Sequence, residues 1–268
     1  MSQQTPVQTP VQTTAALIII GNEILSGRTQ DSNTQWIADK MTERGIRLVE
    51  VRIIPDVEAV IIKTVREMKG QVDYLFTTGG IGPTHDDITA LSMARAFEVD
   101  LVLNPEARQM LLNYYGSEED LTEPRLKMAK VPEGSALIMN PVSAAPGFII
   151  ENVYVMAGVP RIMHAMLDDI IVNMASGAPI LSNTVTCGLG ESAIAQELEA
   201  IQNEHATVEI GSYPHYRSGV LGLSLVLRST ENEPLHTATG KVVAMIRSHG
   251  GEPRAISIKT TGPSFNRA

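Results

Sequence analysis

Val72-Asp73-Tyr74-Leu75-Phe76-Thr77-Thr78-Gly79-Gly80-Ile81-Gly82-Pro83-Thr84-His85-Asp86-Asp87-Ile88-Thr89 is the stretch that decides the fold. Val72 to Thr78 is mostly apolar and runs into Gly79, Gly80 and Gly82, so it reads as a strand entering a glycine loop. A helical pattern follows from about Ile88 to Phe97. Strand, loop and helix in that order form the repeating unit of a wound α/β sheet.

Upstream the unit repeats twice. Leu17 to Ile20 is wholly apolar and stops at Gly21, as a strand buried on both faces should. Asn33 to Arg44 places Trp36, Ile37 and Met41 on one helical face, with Gly45 as C-cap. Arg47 to Ile54 is β-rich and ends at Pro55, and Asp56 stands where an N-cap belongs, before a helix running to about Lys69. This β-α-β-α-β-α order predicts a three-layer α/β/α domain with a mostly parallel sheet.

Downstream, helices are expected at 105–115 and 123–129, a strand at 153–156, and a helix opened by Pro160 and ending near Ala175. Ser176-Gly177-Ala178-Pro179 reads as a hinge. Beyond it come strand 182–187, helix 191–203, strands 207–211 and 220–228, helix 235–248 and strand 254–260. That β-α-β-β-α-β series predicts a small two-layer α+β domain. The division is a disordered tail over 1–14, an α/β domain over 15–176 and the small domain over 181–262. The tail repeats Thr-Pro-Val-Gln at 5–8 and 9–12 and lacks the basic start and apolar stretch of a signal peptide.

The chain has 268 residues and a net charge of −9, from 21 Lys and Arg against 30 Asp and Glu. That balance gives no footprint for nucleic acid or an anionic membrane, both of which call for clustered cations. An anionic ligand would have to be held by backbone N–H groups, local Arg or a metal. Cys187 is the single cysteine, so no internal disulfide forms, which fits a cytoplasmic setting. No apolar run approaches the ~20 residues that span a bilayer.

Ligands of open α/β sheets bind beyond the carboxyl ends of the strands. Gly21, Glu23 and Ser26 follow the first strand, Asp56 the second, and Thr78, Gly79, Gly80, Gly82 and Thr84 the third. These glycines let a phosphate approach the backbone, and their N–H groups can point at its oxygens. Asp86 and Asp87 suit such a site when a divalent cation (Mg, Mn or Co) lies between carboxylates and phosphates, with Glu23 as a third ligand. The plainer reading is a turn followed by N-capping aspartates; three glycines, two hydroxyls and paired carboxylates after one strand favour the ligand site. Asp56 and Asp31 are each open to a capping explanation. His85 reads as an exposed loop residue, Cys187 as buried, Trp36 as core, and His215 in Gly211-Ser212-Tyr213-Pro214-His215-Tyr216 as part of a turn.

Thr77 to Thr89 resembles the hallmark of the CinA (competence/damage-inducible protein A) family and of the molybdopterin-binding-like domain of FAD synthase. Gly21 to Gly27, Gln30 to Asn33, Asn140 to Phe148, Gly188 to Ser192 and Gly211 to Pro214 resemble further motifs of that family. The likeness covers residues 15 to 260 and implies a MoaB/Mog-type first domain. It implies that Asp56 and Asp87 are the essential aspartates, that the Gly-Gly loop binds a pterin or nucleotide phosphate, and that the protein is a homo-oligomer. Relatives are associated with metal-dependent cleavage of pyrophosphate bonds in FAD or ADP-ribose. Two positions depart from the pattern: Ala157 replaces a proline, and His85 stands where many bacterial members carry lysine. CinA proteins often continue into an amidohydrolase domain, and that activity is not expected of a chain ending at Ala268.

The resulting expectation is a metal-dependent nucleotide pyrophosphatase. The alternatives are molybdopterin binding or adenylyl transfer, with molybdopterin as the ligand, and a non-catalytic nucleotide-binding regulator.

Overall fold

The computed structural model describes residues 12–217 and 220–260. Residues 1–11 of the expected tail and 261–262 of the expected small domain lie outside the described residues; Thr14, read as tail, begins the first strand.

The elements of the first unit follow in chain order. They are β1 (Thr14–Ile20), α1 (Asn22–Leu25), α2 (Asn33–Glu43), β2 (Arg47–Ile54), α3 (Glu58–Met68), β3 (Tyr74–Thr78) and α4 (Thr89–Phe97). After these come β4 (Leu101–Leu103), α5 (Pro105–Tyr115), α6 (Glu123–Lys127), β5 (Lys130–Pro132), β6 (Ala136–Ile138), β7 (Gly147–Ile150), β8 (Val153–Met156) and α7 (Pro160–Ile171). The main sheet has the order β2-β1-β3-β8-β7-β6. Its first four strands are parallel, and β7 and β6 add antiparallel.

β1 explains the wholly apolar run, because alternate residues bury into opposite layers. Ala16, Ile18 and Ile20 pack with Ile61, Val65 and Met68 of α3 and Met93 of α4. Ala15, Leu17 and Ile19 pack with Ile37 and Met41 of α2 and Met163, Met166 and Leu167 of α7. The sheet is therefore covered on both faces, the expected three-layer α/β/α architecture. A smaller cluster, Ala107, Leu111, Leu121 and Ala129, ties α5 to the segment that follows it.

The second unit runs from Gly177. It comprises β9 (Leu181–Cys187), α8 (Glu191–Glu204), β10 (Glu209–Arg217), β11 (Val220–Ser229), α9 (Asn232–Ser248) and β12 (Arg254–Thr260). Its antiparallel sheet has the order β10-β11-β9-β12. Val185, Leu223, Leu225 and Leu227 face α8 and α9, meeting Ile194, Ile201, Leu235, Val242 and Ile246. This is the β-α-β-β-α-β domain the sequence suggests, with one correction. Gly211 to Tyr216 is not a turn but most of β10, paired with β11 as far as Arg217 opposite Val220.

Candidate functional site

The parallel strands β2, β1, β3 and β8 all end at one edge, and the segments leaving them line a cleft of about 620 Å³. Ile20 and Glu23 come from the β1 end, Asp56 from the β2 end, Gly79 to Pro83 with Asp86 and Asp87 from the β3 end, and Ala157 to Pro160 from the β8 end. The volume suits a drug- or nucleotide-sized ligand, for which ~300–1,000 Å³ is usual.

The glycine loop is built from backbone demands. Gly79 (φ 106°) and Gly80 (φ 67°) are left-handed. A Cβ on Gly79 would run into the Ile20 carbonyl oxygen, and one on Gly80 into the Thr89 hydroxyl. Thr89 closes the loop, its Oγ1 donating to Gly79 O at 2.9 Å and its N–H to Gly80 O at 2.9 Å. The Gly79 N–H, expected to face a phosphate, instead donates to Met156 O at 3.1 Å and belongs to the sheet. Among the described residues no protein acceptor takes the N–H groups of Gly80, Ile81 or Gly82. The loop amides left without a protein acceptor are therefore those of Gly80–Gly82.

The carboxylates are knotted around one hydroxyl. Thr84 Oγ1 lies 2.6 Å from Asp86 Oδ1 and 2.5 Å from Asp87 Oδ2, and the Thr84 N–H donates to Asp87 Oδ2 at 2.8 Å. The plain capping reading does not hold: the N-cap of α4 is Ile88, and no side chain caps it. Asp87 folds against Gly82, where a Cβ would stand 2.7 Å from its Oδ2. The Thr84 hydroxyl, with the Asp86 backbone N–H, holds the Asp86 carboxyl below the usual carboxylate range, and the charges of His85 and Lys127 act the same way. Lys127, which sequence reasoning passed over, donates its Nζ to the Thr84 carbonyl and holds the loop from behind.

Asp56 is half-buried, and it too is not a cap. Helix α3 is capped by Val57 with no side-chain bond, while Asp56 Oδ2 accepts from the Asn22 N–H at 2.8 Å, linking the β2 end to the β1 end. Asp31 does behave as a cap, accepting from Asn33 N–H at 2.9 Å and Thr34 N–H at 3.2 Å.

Other expected residues are placed less directly. Glu23 lines the cleft, but its carboxylate folds back so that a Cβ on Gly21 would meet Oε1 at 2.5 Å. A side chain at Gly21 would displace this carboxylate, and the Gly21 N–H donates to Ile54 O at 3.1 Å. Ser26 is exposed, bonded to Glu23 O at 3.2 Å, and does not line the cleft. Thr78 is buried in the sheet, and Thr84 organises carboxylates in place of lining the cleft. Among the described residues no three His, Cys, Asp or Glu side chains are grouped to hold a metal, so Glu23 does not complete the expected trio with Asp86 and Asp87. Two carboxylates still fit a Mg²⁺-type cation, which keeps waters and takes the rest of its oxygens from phosphate.

The far wall was legible only in part, through the Asn140 to Phe148 motif that supplies Asn140, Ser143 and Ala145. Tyr115, Met128, Asn140, Ser143, Ala145 and Ile162 line it. Asn140, 5% exposed, staples its own loop: Oδ1 accepts from Val142 and Ser143 N–H at 3.0 and 3.2 Å, and Nδ2 donates to Ser143 Oγ and Ala145 O at 2.7 and 2.8 Å. His85 is an exposed loop residue and Cys187 is buried, as expected. Trp36 is half-buried and stacks on His164 with ring centroids 4.0 Å apart. Among the described residues no helix is long and apolar enough to cross a membrane.

Comparison with known proteins agrees with this fold. Residues 16–177 match the family described as "Probable molybdopterin binding domain", and residues 179–252 match "FAD synthase, middle domain". A protein of Archaeoglobus fulgidus is 38% identical over 198 residues, 74% of this chain and 84% of that one. A Caenorhabditis elegans protein named "Probable FAD synthase" is 27% identical over 265 residues, covering 90% of this chain and 51% of its own length. The solved structure of CinA from Thermoplasma acidophilum is 35% identical, superposes with a TM-score of 0.57, and covers 60% of this chain and 97% of that one. The chain belongs to the molybdopterin binding domain family, with the CinA-like, mostly parallel α/β fold followed by a FAD-synthase-type middle domain.

Proposed function

We propose that the chain is a divalent-metal-dependent nucleotide pyrophosphatase that cleaves the phosphoanhydride of FAD or ADP-ribose. The observation that carries this reading is the Thr84 knot. One hydroxyl, with one proton, sits 2.6 and 2.5 Å from two carboxylates, on the same loop as the N–H groups of Gly80–Gly82. Acidic and anion-directed groups share one short segment, as a cation-bridged phosphate requires.

Asp86 and Asp87 would hold the cation, which when bound polarises the phosphoryl group and acidifies a water. The chain's own groups do the rest. The N–H groups of Gly80–Gly82 donate to phosphoryl oxygens and stabilise charge that builds there. Asp56, fixed through Oδ2 by the Asn22 N–H, keeps its second oxygen to take the proton of the attacking water. The water oxygen bonds to phosphorus as the bridging P–O bond breaks. Two phosphomonoesters leave, AMP with FMN or AMP with ribose 5-phosphate. The apolar wall at Tyr115, Met128 and Ile162 receives the organic part of the substrate.

The family description favours a second reading in which the same cleft holds molybdopterin, as ligand or adenylyl acceptor. One experiment separates them. Purified protein is given FAD, ADP-ribose or NAD with Mg²⁺, Mn²⁺ or Co²⁺, with EDTA as control, and in parallel is titrated with molybdopterin. Metal-dependent release of AMP supports the pyrophosphatase. No release with any pair, together with micromolar molybdopterin binding, replaces it with the pterin reading. Tight nucleotide binding without turnover would make the protein a regulator.

A further inference from the structure

The small domain carries a second cavity, of about 470 Å³, at the end of its sheet where β9 gives way to α8. Strand register explains its floor. Tyr213, Ser224, Thr186 and Arg254 stand opposite one another across β10, β11, β9 and β12, on the sheet face away from α8 and α9. The next row outward begins with His215 opposite Gly222, and one more step along the same register reaches Gly188. The centre of that outer row therefore has no side chains.

The two glycines have different reasons. At Gly222 a Cβ would stand 2.6 Å from His215 Nε2, so the imidazole lies over the strand only because glycine is there. At Gly188 a Cβ would meet nothing within 4 Å, and its φ is not left-handed, so neither packing nor backbone conformation asks for glycine. A side chain at Gly188 would occupy the cavity it lines.

Donors flank this bare floor. His215 Nδ1 lies 3.3 Å from Ser224 Oγ, and with that hydroxyl donating, the ring proton sits on Nε2. On the other side Arg254 is exposed and, among the described residues, its guanidinium has no carboxylate partner; the Thr186 hydroxyl is spent on the Arg254 carbonyl at 3.3 Å. Glu252 also lines the cavity and is an acceptor only. A guanidinium and an imidazole N–H across an open floor match a phosphate, and a neighbouring carboxylate matches sugar hydroxyls.

We infer that this cavity is a second ligand site, taking a mononucleotide-sized organic phosphate between His215 and Arg254. It lies wholly within the small domain and does not depend on the chemistry proposed for the first.

The test is an amide NMR titration of the full chain with AMP, with inorganic phosphate and adenosine as separate probes. The expected result is saturable shifts at Thr186, Gly188, Gly222 and Arg254, with AMP binding more tightly than phosphate and adenosine weakest. Arg254→Met should weaken these shifts about tenfold or more, the scale of a charge-assisted hydrogen bond. Gly188→Val should abolish them while leaving the melting temperature unchanged. AMP shifts confined to the first unit, or shifts in the small domain that survive both substitutions, would overturn the proposal. Because the readout is residue by residue, AMP binding in the first cleft neither mimics nor hides the result.

Discussion

The Thr84 side chain gathers two carboxylates around one hydroxyl and holds the Asp86 carboxyl below its ordinary range. Its hydroxyl is the largest cause of the lowered Asp86 carboxyl, so Thr84→Val should let that group titrate closer to its ordinary 3.8, read from its carboxyl carbon shift. A titration unmoved by the substitution would mean that the backbone N–H and the charges of His85 and Lys127 set it. Gly79 is tied to its place by conformation, at φ 106° with the Ile20 carbonyl where a Cβ would go. Gly79→Ala should therefore cost more than ~1 kcal/mol by urea unfolding, in the direction expected for a side chain forced into left-handed backbone. At this scale the sequence was only partly readable. Glycines and aspartates after a strand marked the loop, but Asp56 looked like a cap because its partner, the Asn22 N–H, lies 34 residues away. Lys127 gave no local signal at all, since it acts by bonding backbone in a loop, and Asn140 was marked only by the resemblance of its loop to a family motif.

Elements that bury both faces announced themselves. β1 and the helices on either side of it were legible because a strand sealed in two layers has no polar alternation and its helices have one apolar face. β6 and β7 were not, being three- and four-residue strands at the sheet's far side. β10 was misread because Gly211 and Pro214 imitate a turn; the strand accepts proline because it is the sheet's edge, where a missing N–H costs no ladder bond. The layer formed by α2 and α7 contains an acid-sensitive contact. Burial holds the His164 imidazole below its ordinary 6.5, only partly offset by Asp168, and the ring stacks on Trp36. The unfolded chain then takes up a proton near 6.5 while the folded one does not. Stability from this group is complete above that pH and falls as pH drops below it toward the folded value. Urea midpoints should decline from pH 7.5 to 5.5 in the wild type, and less in His164→Phe; equal declines would assign the effect to other groups.

Across the whole chain, one sheet edge gathers segments from four strand ends that no short motif contains together, and the small domain adds an independent sheet with its own cavity. The order of strands and helices predicted where such a cleft would open, because parallel strands present all their exit loops at one edge. It did not predict the apolar far wall, which depends on how α5 and the 140–145 loop fold back over the edge. The claim that joins these parts is that the Thr84 knot and the Gly80–Gly82 amides act together on a phosphoanhydride. The most direct measurement is AMP release from FAD and ADP-ribose with Mn²⁺ by wild type and Asp87→Asn, with folding checked by circular dichroism. The account predicts a fall of about a hundredfold or more in the substituted protein, the scale of removing a partner of transition-state charge. Equal rates from the two proteins would contradict it.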